Sequence, residues 1–303
     1  MLEQKLITLI NEKANKECGS TALLSASHFI EELEKHITGD CTLSEQVISN
    51  KVDYLAGCLT ITLDVGVTEL ELLRTRCSND LHFKNVDEVS YIKSPTSTFP
   101  PLGRLNKPGQ VIYYAAVKVR QDDTALRVVL SESNARTLDT FHVLSSEQQK
   151  KTNINLRIVG IWDLVRRDCK PSYLSEDTFL YYKEVYKLMK CKFSPELLMA
   201  YELTDRFFND LYSRKGSNCL YQVTSEISTL LLDSEISDGI LYSSVQAKDE
   251  PLIALKPKAV DQKITHKWVS EVEVKRKLGY EYYIYNTNNG PAKVEKSTGK
   301  INW

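Results

Sequence analysis

Residues 103 to 116 decide how this chain is read: Gly103-Arg104-Leu105-Asn106-Lys107-Pro108-Gly109, then Gln110, then Val111-Ile112-Tyr113-Tyr114-Ala115-Ala116. Pro95, Pro100 and Pro101 precede them, and together with Pro108, Gly103 and Gly109 they rule out a helix or a central strand. Residues 93 to 109 are therefore expected as a loop. The β-branched and aromatic residues that follow suit a buried strand. Tyr113 and Tyr114 would point to opposite faces of it, with Tyr113 read as a core aromatic.

On the amino-terminal side the chain reads as helices up to about residue 58. Leu2, Leu6, Leu9 and Ile10 share one face, and Phe29, Ile30, Leu33 and Ile37 another. From Leu59 the period changes to two, with Leu59, Ile61, Leu63, Val65 and Val67 on one side, as in a half-buried strand. On the carboxyl side, Ser175 can cap a helix to about Lys190 that carries Phe179, Tyr182, Val185 and Met189 at helical spacing. Ser194 and Pro195 open a second helix, with Leu198, Tyr201, Phe208, Leu211 and Tyr212 along one side. The tail from His266 has strand-like stretches at 270 to 274 and 280 to 285, followed by Asn and Gly residues that signal a turn. The organisation expected is a helical region at 1–58, a central domain at 59–265 and a β-rich tail at 266–303.

The 303 residues carry 39 basic and 40 acidic side chains, a formal charge of −1, so no global field gathers nucleic acid or anionic lipid. The seven cysteines form no CxxC pair and have no closely spaced histidine, and no metal site is expected. No apolar run reaches the ~20 residues that cross a bilayer, and no signal-type segment opens the chain. The expectation is a cytoplasmic protein without membrane or nucleic-acid partners. The lysines of the tail read as a solvated face.

Three further stretches carry chemistry. Leu72-Leu73-Arg74-Thr75-Arg76 sets two guanidiniums on a strand, where an exposed cation is the bland reading. Ser237-Asp238-Gly239-Ile240-Leu241-Tyr242-Ser243-Ser244-Val245 begins with a turn signal and sets Tyr242 and Ser244 behind it. Thr124-Ala125-Leu126-Arg127-Val128 opens a helix on which Glu132, one turn beyond Val128, lies on nearly the same face. A solvent-facing glutamate near a helix end is the other reading of Glu132.

Taken together, residues 70 to 257 resemble the RES domain, a family named for an arginine, a glutamate and a serine. The match rests on the Gly103–Gly109 loop with its following strand, on Arg74, and on the 237–245 segment. The position that the family gives to glutamate holds Val128, which makes Glu132 the substitute candidate. The resemblance implies an α+β fold, an ADP-ribosyltransferase-like RES domain with an N-terminal helical extension. It also implies an NAD-degrading enzyme that breaks the nicotinamide–ribose bond by phosphorolysis or hydrolysis, of the toxin type that an antitoxin holds in check. Arg74, Arg104, Glu132 and Ser244 would then be catalytic, and Arg76, Asn106, Gly109, Tyr114 and Tyr242 would bind the dinucleotide. NAD is a substrate here, with no prosthetic group and with inorganic phosphate as co-substrate. Guanidinium forks suit pyrophosphate oxygens and glycines admit backbone amides to them, so the chemistry agrees with the pattern. The alternatives are an impaired RES-like protein that binds NAD or a protein partner, and an ADP-ribosyltransferase acting on a macromolecule. The N-terminal helices could cover one side of the domain, dock a partner or build a homo-oligomer.

Overall fold

Two serines that precede apolar-periodic segments start helices as expected. In the computed structural model, which describes residues 3–16, 18–78, 82–247 and 250–303, Ser175 Oγ accepts from Thr178 N and Ser194 Oγ from Leu197 N, each at 3.2 Å. In chain order the helices are α1 (Gln4–Lys16), α2 (Gly19–Thr38), α3 (Glu45–Asp53), α4 (Thr124–Glu132), α5 (Ile161–Arg166), α6 (Glu176–Lys192), α7 (Pro195–Ser213), α8 (Asn218–Leu232) and α9 (Pro257–Lys263). The strands are β1 (Val65–Val67), β2 (Glu71–Cys77), β3 (Tyr113–Val117), β4 (Thr140–Gln148), β5 (Ile154–Ile158), β6 (Gly239–Ser243), β7 (Pro251–Leu255), β8 (Ile264–Gly279), β9 (Tyr282–Val294) and β10 (Ile301–Asn302). The fold is mixed α+β.

Two compact units share the chain. One comprises Met1–Leu63, Leu102–Lys107 and Ile158–Ser234, and the other Asp64–Pro101, Pro108–Arg157 and Glu235–Trp303. The three consecutive segments expected from the sequence thus interleave: the amino-terminal helices pack with α5 to α8, because their apolar faces need partners that only the later helices supply.

In the helical unit α2 packs on α7, and Arg214, just past α7, grips Glu34 of α2 with bonds of 2.6 and 2.7 Å. Phe179, Tyr182, Val185 and Met189 of α6 are buried as the spacing predicts. On α7 Leu197 is buried in place of the expected Leu198, together with Tyr201, Phe208, Leu211 and Tyr212. Leu6 and Ile10 of α1 are buried, Leu9 is exposed, and Leu2 lies outside the described residues.

The other unit is built on one sheet in the order β1-β5-β6-β7-β3-β2-β4-β8-β9-β10, and the pairings whose register is defined are antiparallel. Helix α4 lies on β2 and β3. Only 65–67 of the alternating 59–67 stretch is strand, although Leu59 and Ile61 are buried. The tail departs most from its reading. Its strands form the long β8–β9 hairpin, and β8 pairs with β4 from Ile264 to Glu273. The turn falls at Gly279, Tyr280 and Glu281, all at positive φ, and not at the Asn and Gly residues of 286 to 290, which continue β9. Pairing of Asn286, Thr287 and Asn288 with Glu273, Val272 and Glu271 of β8 holds the stretch in the strand and outweighs its weak strand propensity.

Candidate functional site

Helix α4 begins at Thr124, as its sequence predicts, and ends at Glu132. There the Glu132 carboxylate meets the turn after β6. Ser244 Oγ donates to Glu132 Oε1 at 2.5 Å, and the backbone N–H groups of Val245 and Gln246 donate to the same oxygen at 3.1 and 3.2 Å. Ser244 Oγ in turn accepts from Gln246 N at 3.2 Å and Ala247 N at 2.9 Å. Ser244 is buried, Glu132 is exposed, and Glu132 Oε2 has no hydrogen-bond partner among the described residues. One carboxylate oxygen is thereby fixed by three donors while the other is free to accept a hydroxyl.

The same helix and the same turn wall a small cavity of about 170 Å³, lined by Thr124, Arg127 and Val128 of α4, Ala247, Tyr282, and Arg120 with the acids Glu250 and Glu281. Val128 thus faces the hollow with its apolar side chain. Arg127 Nε donates to Asp123 at 3.0 Å, and its guanidinium lies 4.7 Å from the Tyr282 ring centre. Burial lowers the Arg127 pKa, but the Asp123 charge and the hydrogen bonds that the guanidinium donates to Tyr282 and Asp123 together outweigh it and raise the pKa above the ordinary arginine value. By its volume and its mixed charges the space suits one sugar, not a whole dinucleotide.

No protein-family model, no curated protein and no solved structure matches this chain.

Arg74, on β2, is half-buried, and its guanidinium is occupied by backbone. Nε donates to Val89 O at 3.0 Å and Ser90 O at 3.1 Å, and Nη1 to Tyr114 O at 2.8 Å, above the Tyr113 ring. Burial, with Arg76 as a further cation, pulls its pKa below the ordinary arginine value. Arg76 Nη1 donates to Glu88 O at 2.6 Å.

A buried polar chain continues from Tyr113. Its hydroxyl meets Ser146 Oγ at 3.3 Å, Ser146 Oγ meets His266 Nδ1 at 2.8 Å, and His266 Nε2 meets Ser90 Oγ at 3.3 Å. A β-bulge between Ser145 and Ser146 breaks the β4–β8 register at this point, as bulges do where a side chain is re-aimed. Burial, with Lys93 as the next cause, pushes His266 down to about 4, so its imidazole is neutral at physiological pH. His266 also borders a cavity of about 550 Å³ that includes Lys267, Lys293 and Lys296, tail lysines that the sequence presents only as a solvated face.

The remaining expected residues hold local structure. Arg104 belongs to the helical unit, where it donates to the carbonyls of Leu211, Tyr212 and Arg214 at 3.3, 3.1 and 2.8 Å, at the C-terminal end of α7. A cation there satisfies end carbonyls that the helix leaves without partners. Asn106, also in that unit, is buried over Gly103, whose absent Cβ would lie 2.4 Å from Asn106 Oδ1. Gly109 has φ +77° and lies so close to Thr96 O that a Cβ would approach to 2.7 Å, which explains glycine here without any ligand. Tyr114 is half-buried and Tyr242 buried. The Asp238–Gly239 pair enters β6 directly instead of turning: Asp238 accepts from Asn155 N at 2.7 Å and Lys263 Nζ at 2.6 Å, and Gly239 lets β7 approach.

The sequence brought Ser244 and Glu132 forward and left out Ser146, His266 and Arg127. A spacing of 120 residues separates Ser146 from His266, and only the β4–β8 register unites them.

Proposed function

We propose that the sheet-containing unit takes NAD and breaks its nicotinamide–ribose bond, with phosphate or water as acceptor. The observation that carries this reading is the Ser244–Glu132 pair: two side chains put forward on separate stretches of sequence meet, and the carboxylate keeps one oxygen unused. A carboxylate with a free oxygen can hold a ribose hydroxyl and shield the oxocarbenium-like centre that forms at the sugar.

In this reading the bond from the ribose anomeric carbon to the pyridinium nitrogen breaks, and its electron pair leaves with nicotinamide, which becomes neutral. An oxygen of phosphate, or of water with loss of a proton, then bonds the same carbon. Nicotinamide departs from a cationic ring, so no general acid is needed, and the work left is positioning and charge stabilisation. Ser244 orients Glu132, and Tyr114 is offered as the ring that packs on nicotinamide. Arg127, paired with Asp123, and Arg120, paired with Glu250, line the small cavity together with Glu250 and Glu281, a mixed set of donors and acceptors that suits the hydroxyls of one sugar. Arg74 braces the strand under Tyr114. The finer fold assignment, an ADP-ribosyltransferase-like RES domain, belongs to the same proposal, as do a toxin role in the cytoplasm and an antitoxin partner. Among the described residues no helix is long and apolar enough to cross a membrane.

A second reading, binding of NAD or a partner without turnover, is favoured by Val128 in the cavity wall and by the occupied guanidiniums of Arg74 and Arg104. Incubation of the purified chain with NAD, with and without inorganic phosphate, separates the two. Release of nicotinamide with ADP-ribose or its phosphate ester supports cleavage. A rise in melting temperature with NAD but no product supports the binder, and label transferred to protein or nucleic acid identifies a transferase.

A further inference from the structure

A fully buried histidine with both ring nitrogens unpaired stands in the middle of the sheet. His142, on β4, is 0% exposed, and neither Nδ1 nor Nε2 has a hydrogen-bond partner among the described residues. Burial lowers its pKa, but a neutral imidazole still keeps one donor and one acceptor, and buried polar groups without partners are rare. The sequence gives no hint of a reason. The fold supplies one, because β4 sits between β2 and β8 in a register that sets His142 directly opposite Glu271.

His82, in the segment after β2, completes a group. His82 Nδ1 lies 3.4 Å from Glu271 Oε2, and His142 Nε2 lies 3.8 Å from the same oxygen. The three donor atoms all fall within 4.8 Å of one another. Their surroundings hold them as outer-shell groups hold metal ligands. Asn288 Nδ2 donates to Glu271 Oε1 at 3.1 Å, which leaves Oε2 to the two imidazoles. Trp303 stacks on His82 at 4.8 Å and meets His142 edge-on at 4.9 Å, and Phe83 packs on His142 at 4.8 Å.

We propose that His82, His142 and Glu271 form a zinc site, with the fourth position left to water. Two imidazoles and one carboxylate suit a first-row transition ion and disfavour magnesium and calcium, which prefer oxygen alone. Bonds of about 2.0–2.1 Å in a tetrahedron set donors about 3.3 Å apart, so a modest inward rotation of the side chains closes the group around an ion. Zinc here acts as a clasp. It ties the segment that begins at His82 to β4 and β8, and the same segment carries Val89 and Ser90, whose carbonyls receive Arg74. Apolar packing of Phe83, Val86 and Val89 against Leu144 and Val269 already seats that segment, so the ion adds to a preformed contact. The inference is independent of NAD cleavage.

The test is zinc binding to the untagged full chain, read by competition with a chromophoric chelator and by elemental analysis after dialysis. One zinc per chain is expected, with a zinc-dependent rise in melting temperature. His82→Ala, on an exposed side chain whose loss leaves the core intact, should weaken binding at least ~100-fold, and Asn288→Ala about tenfold. His142→Ala and Glu271→Gln should abolish the melting shift. Cobalt in place of zinc should give a spectrum without a thiolate charge-transfer band. Failure of the wild-type chain to hold zinc, equal affinity in His82→Ala, or a thiolate band that vanishes with Cys77→Ser would each overturn the proposal.

Discussion

Ser244 and Glu132, 112 residues apart in sequence, share a hydrogen bond of 2.5 Å that ties the turn after β6 to the last residue of α4. The hydroxyl hydrogen goes to the carboxylate while its lone pairs take two backbone N–H groups, so one serine organises both the turn and the acid. Ser244→Ala should therefore loosen the turn and release Glu132 together. The expected stability loss is ~1–3 kcal/mol, as for a buried hydroxyl whose partners lose their bonds. Chemical denaturation of wild type and variant checks it, and an unchanged midpoint would show that the bond contributes nothing.

Arg104 is expected to act on stability. Its guanidinium serves three carbonyls at the end of α7, so Arg104→Ala should lose ~1–3 kcal/mol. Arg104→Lys should recover little of it, since an ammonium cannot reproduce the fork. Melting curves of both variants decide the matter, and a wild-type curve for Arg104→Ala would remove α7 from the explanation.

His266 should make the sheet-containing unit sensitive to acid. Its folded pKa, about 4, lies below the free value of 6.5, so the unfolded chain binds more protons between those values. The stability that the neutral ring contributes is fully present above about pH 6.5 and is lost as pH falls toward 4. A loss on the order of 2–3 kcal/mol is expected across that window. His266→Gln, which keeps a polar side chain but cannot charge, should flatten the profile, and an equal acid slope in this variant would assign the effect elsewhere.

Asp205 in the helical unit works in the opposite direction. Burial, against a backbone bond from Asp163, raises it to about 7 from 3.8, so the folded chain holds a proton that the unfolded chain releases. The associated stability is present below about pH 4 and declines as pH rises to 7. Asp205→Asn keeps an acceptor for Asp163 N and removes the charge, so the variant should be more stable than wild type by ~2 kcal/mol above pH 7. Thermal melts at pH 5 and pH 8 check this, the expected gain being confined to the higher pH.

Local signals were legible. The caps at Ser175 and Ser194, the apolar face of α6 and the start of α4 at Thr124 all follow from residues within one helical turn of each other. Glu132 and Ser244 could each be put forward from their own segments, but their meeting depends on how β6 and α4 are brought together. The Asn and Gly residues at 286 to 290 signal a turn more strongly than Gly279-Tyr280-Glu281, where two side-chain-bearing residues adopt positive φ, so the sequence does not show where the β8–β9 turn falls. The interleaving of the units was invisible, since residues 102–107 and 158–234 join the amino-terminal helices through non-local packing. For the same reason His142 and Glu271, opposite each other across two strands, left no trace in the spacing of the chain.

Nicotinamide release from NAD by wild type and by Glu132→Gln, in phosphate buffer and at matched folded fractions, bears most directly on the cleavage reading. A free carboxylate oxygen at the sugar predicts turnover by wild type and a fall on the order of a hundredfold or more in the amide variant. Equal release by the two proteins, or none from wild type, would contradict it.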